Sequence, residues 1–469
     1  MARIFISATH KSSGKTTLSI GLCAALHAQG LRVQPFKKGP DYIDPLWLGA
    51  ASARACHNLD FNTMTPDEII QTVQHYAASA DIALIEANKG LYDGMALDGS
   101  DSNAAVAKLT RSPVILVVDS RGMTRGVAPL LLGYQAFDPD VQIAGIIFNR
   151  VGGARHASKL REAVEHYTDI KVLGAVQNNP EMEIEERHLG LMPSNESSAA
   201  ATQIARIRDL VAEQVDLSAL RTIANEAKTL LLPSPLAGGE ATRSSVWDGV
   251  GMGGTPLRIG ICQDPAFAFY YPGDLEALQA AGAELVSVNT LKDTALPALD
   301  GLFIGGGFPE TQMHALAANV SMRESIRNAI ENGLPTYAEC GGLMYLSRSL
   351  VWNGEQVPMV GIIPGDAVMH AKPQGRGYVK LQETADMPWP GGDAQAVINA
   401  HEFHYSCLEN LTAQGRFAYR MRRGTGIDGQ YDGWIYRNLL ASYTHMRDTA
   451  QCHWARRFVA FIRLKQQGN

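Results

Sequence analysis

The chain opens with an apolar run, ARIFISA (2–8), then a Ser- and Gly-containing loop, then a helical pattern over 16–29 that stops at Gly30. ISATHKSSGKTT (6–17) therefore sets a phosphate-binding loop between a strand and a helix N-terminus, where loop amides and the helix dipole point at an anion. This commits the start of the chain to a strand–loop–helix unit, the building block of a parallel α/β sheet. Within it Lys15 is positioned for the terminal phosphates and Thr16 for Mg²⁺, with Gly14 and Thr17 completing the nucleotide cradle. Thr9 stands where the usual G-x-x-x-x-G-K-[ST] spacing has its first Gly.

Four more apolar runs of strand length follow: LRVQPFK (31–37), DIALIEA (81–87), PVILVVD (113–119) and IAGIIFN (143–149). Helical stretches separate them, as in a parallel sheet covered on both faces. The second run delivers KKGPDYIDP to its C-terminal end, where open α/β sheets bind ligands. Asp41, Asp44, Glu86 and Asp93 all fall just after strands, on what should be one rim. Carboxylates there could coordinate Mg²⁺ or position a polar substrate, or else cap the next helix. Residues 209–227 read as one amphipathic helix.

A chain of 469 residues is long for a single core, which usually stops growing near roughly 250–300 residues. LPSPLAGGEATRSSVWDGVGMGGTP (232–256) has linker composition and places the domain boundary. The expected organisation is an ATP-dependent P-loop domain over 1–230, a linker over 231–255 and a second α/β domain over 256–469. The second domain restarts with the strand LRIGICQD (257–264), and GLFIGGGFPE (301–310) runs a strand into a glycine triplet. LPTYAECGGLMYL (334–346) then reads strand, cysteine at a sharp turn, helix: a nucleophile elbow that exposes the thiol of Cys340 and favours its thiolate. Gly305, Gly306 and Gly307 are candidates to present backbone N–H groups to substrate oxygen. A thiol nucleophile needs a base, and His401, His404 and His445 are all on offer.

A formal charge of −6 without a basic run argues against a nucleic-acid partner. No run of eighteen apolar residues free of charge suggests a membrane helix. The six cysteines are scattered, with no C-x-x-C pair, which fits a reduced cytoplasm rather than a disulfide frame or structural zinc.

Taken in order, the P-loop, FKKGPDYIDP, NLD (58–60), GLYDG, DPDVQIAGIIFNRV, RHLGL, GGGFPE, AECGG, HEFHYS and RNLLASYTH run as they do in the cobyrinic acid a,c-diamide synthase family, which the chain resembles along nearly its whole length. The resemblance implies an ATP-dependent synthetase domain joined to a class I, triad-type glutamine amidotransferase domain. It implies ATP, Mg²⁺ and glutamine as co-reactants, a tetrapyrrole polycarboxylate as substrate, and leaves a homodimer open. Cys340 would form the γ-glutamyl thioester with His445 as its base. Asp41, Tyr42, Ile43, Asp44, Glu86 and Asp93 would belong to the synthetase site, with Thr16 and Glu86 toward the metal and Asn149 toward adenine. Phosphorylation would give an acetate carboxylate the leaving group it lacks, and ammonia would displace the phosphate.

Three positions depart from the family pattern: Leu48 in place of a His, ANKGLYDG (87–94) in place of G-V-M-G-L-F-D-G, and His445-Met446-Arg447 in place of H-x-H. The first two are expected to face the macrocycle, which brings in sirohaem or a nickel sirohydrochlorin as alternative substrates. A non-enzymatic P-loop ATPase switch is the remaining alternative, though such a protein has no use for Cys340 and its glycine surround.

Overall fold

The computed structural model describes residues 1–187, 190–195, 199–230, 255–412 and 415–467. The chain divides into two compact units, Met1–Gly239 and Glu240–Asn469. The expected linker lies outside the described residues except at Thr255, as does part of the RHLGL motif.

In the first unit, among the described residues, strands and helices alternate: β1 (Arg3–Ala8), α1 (Lys15–Ala28), β2 (Val33–Lys38), α2 (Ile43–Ser52), β3 (His57–Leu59), α3 (Pro66–Ala77) and β4 (Ile82–Glu86). The alternation continues through α4 (Asn103–Leu109), β5 (Val114–Asp119), α5 (Val127–Phe137), β6 (Ile143–Val151), α6 (Ala154–Tyr167) and β7 (Lys171–Gln177). The seven strands form one sheet in the order β3-β2-β4-β1-β5-β6-β7, each neighbouring pair parallel. Two apolar clusters cover its two faces, so the strands are apolar throughout rather than alternating. The central β1 delivers the P-loop, flanked by the ends of β4 and β5.

The single helix expected over 209–227 is two, α7 (Ala200–Gln214) and α8 (Leu217–Asn225). Val215 leaves the helix to bridge Gly174, and Asp216 caps α8 by accepting the N–H of Ala219. Aspartate inside an amphipathic pattern was a start signal, and the apolar periodicity carried across it masked the break.

The second unit adds, after the short pair β8 (Glu186–Arg187) and β9 (Gly190–Leu191) of the first, strands β10 (Leu257–Cys262), β11 (Ala283–Val288), β12 (Gly301–Ile304) and β13 (Thr336–Glu339). Next come β14 (Ser347–Trp352), β15 (Glu355–Pro358), β16 (Ile363–Met369), β17 (Gly375–Glu383), β18 (Val397–His404) and β19 (Ser406–Glu409). Last are β20 (Arg416–Arg423), β21 (Tyr431–Tyr436) and β22 (Leu439–Ser442). A mixed nine-stranded sheet runs β11-β10-β12-β13-β22-β21-β20-β17-β18, and a four-stranded sheet runs β15-β14-β16-β19. β13 lies between β12 and β22, so whatever follows these three strands meets at one edge.

Leu48 is fully buried in the core between α1, α2 and the sheet, next to Trp47. It therefore packs the protein and does not face a substrate, contrary to the expectation from its place after YIDP. Leu48→Ala is expected to cost about 2–5 kcal/mol of stability, read as a lowered urea midpoint; a loss well under 1 kcal/mol would show that this corner of the core is loosely packed.

Candidate functional site

The P-loop is held from both sides. Gly14 sits at φ 79°, a left-handed conformation suited to glycine, and any side chain there would overlap Asn149 Nδ2. Asn149 Nδ2 donates to Ser13 O at 2.9 Å and Arg150 to Ser12 O at 2.7 Å. Tyr134 Oη donates to Thr9 O. Asn149 thus pins the loop through one N–H of its amide, and the second N–H and the amide oxygen are its remaining polar groups for the expected adenine contact. Arg150 also pairs with Asp119 at the end of β5; burial works against that carboxylate, but Arg121 and Arg150 hold it down at about 2.

Lys37 is the centre of the first site. Parallel register sets Lys37 beside Glu86, and its Nζ lies 3.0 Å from Glu86 Oε1, 2.5 Å from Asp44 Oδ2 and 3.9 Å from Asp41 Oδ2. Burial disfavours the ammonium, yet Asp44, Glu86 and Asp41 outweigh it and hold the Lys37 pKa above its ordinary value. Thr16 Oγ1 donates to the same carboxylates, 2.7 Å from Glu86 Oε1 and 3.2 Å from Asp44 Oδ2. Lys15 is buried beside them, and desolvation lowers its pKa despite the nearby acids.

Three of the four expected acids therefore meet. Asp41 also serves the start of the next helix, since its Oδ1 accepts the N–H groups of Ile43 and Asp44 at the start of α2. Burial and the neighbouring Asp44 raise its pKa to about 7, against the pull of Lys37. Tyr42 and Ile43 lie at the same helix start, half-buried. Asp93 does not join the cluster: it is exposed, and its Oδ2 accepts the Gly90 N–H at 2.9 Å, closing its own turn beside the P-loop. The reason is that GLYDG leaves β4 and turns back under Thr9, with the Leu91 N–H bonded to Ala8 O.

The donor set suits a hard divalent cation: Thr16, Asp44 and Glu86 offer only oxygen. Glu86 Oε2 is buried with no hydrogen-bond partner, an orphan that a cation would satisfy.

In the second unit the elbow is present, but Cys340 is buried and not exposed as the turn led one to expect. Cys340 follows β13 at φ 47°, ψ −101° and opens the helix Gly341–Leu346. Side chains at the next two positions would press on Gly307 N and Pro309 or overlap Ile304 O, which is why both are glycine. Of the three histidines, His445 is hydrogen-bonded to Cys340. His401 stacks on it with ring centroids 5.0 Å apart, and burial with the charges of His445 and Arg447 keeps His401 neutral. His404 turns away, its Nδ1 against Ser406 O at 2.7 Å and its ring stacked on Tyr443.

Sequence reasoning missed Glu339. Its Oε2 lies 3.4 Å from His445 Nδ1, while Oε1 accepts from Tyr337 Oη at 2.6 Å and from Met446 N at 2.8 Å. Cys340, His445 and Glu339 therefore lie in the order that a nucleophile, a base and an orienting acid require, with the acid at the position before the cysteine. Strand alternation would send Glu339 and Cys340 to opposite faces, and only the turn at Cys340 reconciles them. Lys37 was missed too, although FKK at a strand end marks a cation placed where ligands bind.

The glycine triplet divides. Gly305 is corrected as an oxyanion donor, because its N–H already donates to Tyr270 Oη at 2.8 Å. Gly306 packs against His445 and Gly307 against Gly341, so these two line the thiol pocket.

Burial opposes the charged form of His445, but Cys340 and Glu339 overcome it and raise its pKa to about 10. A raised folded-state pKa contributes stability fully present below about pH 6.5 and lost as pH climbs through about 10. Urea unfolding across pH 6–10 is expected to show this loss in the wild type and a flatter profile in Glu339→Gln; identical slopes would remove Glu339 from the pair.

A CobQ/CobB/MinD/ParA nucleotide-binding domain matches residues 4–191, and a CobB/CobQ-like glutamine amidotransferase domain matches 258–450. A cobyrinate a,c-diamide synthase of Magnetococcus marinus is 47% identical over 97% of this chain and 95% of its own length. That of Methanosarcina acetivorans is 40% identical over 96% and 93%, and that of Listeria monocytogenes 38% over 95% and 96%. No helix of the described residues is long and apolar enough to cross a membrane. With identity sustained over almost the full length of both partners, this chain belongs to the cobyrinate a,c-diamide synthase family.

Proposed function

We propose that the protein is an ATP- and glutamine-dependent ligase that amidates the a and c acetates of a cobyrinic acid-type tetrapyrrole through an acyl phosphate. Residues 1–230 would form the synthetase and 256–469 the glutaminase. The observation that carries the reading is the Cys340–His445 hydrogen bond at a strained elbow in a chain that also holds a P-loop with buried carboxylates around Lys37.

In the glutaminase, His445 takes the proton of Cys340, and the thiolate attacks the glutamine carboxamide. The imidazolium then gives that proton to the carboxamide nitrogen, which leaves as ammonia as the C–N bond breaks, and the γ-glutamyl thioester that remains is cleaved by water. Glu339 holds the imidazole in register and offsets its charge. Gly306 and Gly307 line the space where the oxyanion forms, a role that preorganised N–H donors serve well.

In the synthetase, Gly14, Lys15, Thr16 and Thr17 cradle the nucleotide, with the Asn149 amide toward adenine. Thr16, Asp44 and Glu86 would hold Mg²⁺, whose contribution when bound is to offset phosphate charge. An acetate oxygen attacks the γ-phosphorus and ADP leaves; ammonia then attacks the acyl carbon and phosphate leaves. Lys37 is placed to neutralise the transferring phosphoryl group, and Asp41, with Tyr42 and Ile43, to hold the acetate or take a proton from the attacking ammonia. Asp93 acts on this site only by shaping the turn beside Thr9.

Sirohaem also presents adjacent acetates and is the second reading. The burial of Leu48 takes away one of the sequence departures that favoured it, leaving ANKGLYDG. Incubation with ATP, Mg²⁺, glutamine and either cobyrinic acid or sirohaem, followed by mass spectrometry, separates the two. Each carboxylate-to-amide exchange lowers the mass by about one unit, as OH gives way to NH₂; no mass change with any tetrapyrrole, with ATP hydrolysis intact, would favour the ATPase switch.

Cys340→Ala is expected to abolish glutamine-dependent amidation while ammonia-dependent amidation survives. Glu339→Gln should lower glutaminase kcat by about 10²–10⁴, by analogy with removal of the acid in a Ser-His-Asp triad. Asp41→Asn should impair amidation with either nitrogen source and spare much of the glutaminase; loss of both activities in folded protein would break that division.

A further inference from the structure

The edge of the four-stranded sheet carries a group of side chains that neither half-reaction uses. β19 is the edge strand and pairs antiparallel with β16, Val368 opposite Cys407 and Asp366 opposite Glu409. Strand periodicity puts Cys407 and Glu409 on the same outward face, while Ser406 is buried and Leu408 nearly so between them. His370, two residues beyond Val368, continues β16 through a backbone bond from its N–H to Tyr405 O. It therefore falls diagonally across from Cys407 on that face.

The three ligand atoms converge. His370 Nε2 is 3.0 Å from Cys407 Sγ and 3.3 Å from Glu409 Oε1, and Cys407 Sγ is 3.5 Å from Glu409 Oε1. A tetrahedral ion with metal–sulfur near 2.3 Å and metal–nitrogen or –oxygen near 2.0–2.2 Å needs ligand atoms about 3.3–3.6 Å apart. The two spacings to Glu409 already fit, and side-chain rotations that open the His370–Cys407 spacing by about half an ångström satisfy the third.

We propose that His370, Cys407 and Glu409 form a binding site for a late first-row divalent ion of the Zn²⁺ class, with water in the fourth position. Thiolate and imidazole together select zinc-like ions over Mg²⁺ or Ca²⁺, which take oxygen sets such as that around Thr16. On binding, the Cys407 thiol gives its proton to solvent and its sulfur bonds the ion; no electron changes hands. The ion would clamp the edge strand β19 to the end of β16. Without it the thiol is a poor nucleophile, since burial and Glu409 push its pKa up to about 11. This speaks against a reactive-cysteine role.

Cys407 is the one cysteine of the six that is not buried, and because Cys340 beside His445 also offers a thiol and an imidazole, the Cys407→Ser variant is what assigns the thiolate signal. Metal-stripped, reduced full-length protein is titrated with Co²⁺ and then Zn²⁺. The expected result is one equivalent of Co²⁺ with a near-ultraviolet thiolate-to-cobalt band that Zn²⁺ abolishes, and a rise in unfolding temperature with Zn²⁺. Cys407→Ser should lose the band and the thermal shift, His370→Ala should weaken affinity at least about tenfold, and both should keep wild-type glutaminase activity. A band of equal strength in Cys407→Ser, or no saturable binding by the wild type at micromolar ion, would overturn the site.

Discussion

In a parallel sheet every strand stops at the same edge, and there the backbone ladder runs out of partners. Residues far apart in sequence are thereby brought to one rim. β1, β2, β4, β5 and β6 deliver the P-loop, Lys37, Glu86, Asp119 and Asn149 to one such edge. In the second unit β12, β13 and β22 deliver the glycine triplet, Cys340 and His445 to another. Both reaction sites depend on this constraint, and neither depends on any unusual backbone apart from the turns that leave the strands.

What each rim does with its position is set by charge. A buried ammonium is costly unless carboxylates surround it, and buried carboxylates repel one another unless a cation lies between them. Lys37, Asp44 and Glu86 meet both requirements at once. One oxygen of Glu86 stays unsatisfied. The cluster is thus organised for a further cation and an anion, the pairing that a metal-bound nucleotide presents. The second rim uses the opposite economy of a single ion pair: Glu339 is fixed by Tyr337 and Met446 so that its other oxygen faces the imidazole. A His445 charge that burial would suppress is thereby kept near the thiol.

Much of this was legible in the chain. Long apolar runs between helical patterns specify a parallel sheet because both faces must be covered, and a Gly-Lys-Thr step after the first strand specifies what its edge binds. Cys340 was legible for the same reason, since only glycine fits the two positions after it. Features that concern one residue and its own neighbours are thus readable from the chain: the strand–loop–helix step through Gly14, Lys15 and Thr16, the turn at Cys340, and Glu86 at the end of β4.

Assignments that depend on where a side chain points in three dimensions were left to the tertiary structure. Leu48 and Asp93 sit beside functional residues in sequence, yet one is turned into the core and the other into its own turn. Gly305 carries a free-looking amide that Tyr270, on a distant loop, has already taken. The choice of His445 among three histidines, and of Glu339 as its partner, required β22 to lie against β13. The sequence by itself determined the parallel sheet of the first unit, the strand that leads into each functional loop and the residues placed on those loops, because periodicity and glycine sterics are local. Only the tertiary structure decided which reagents touch, because strand register and packing join residues that no local pattern relates.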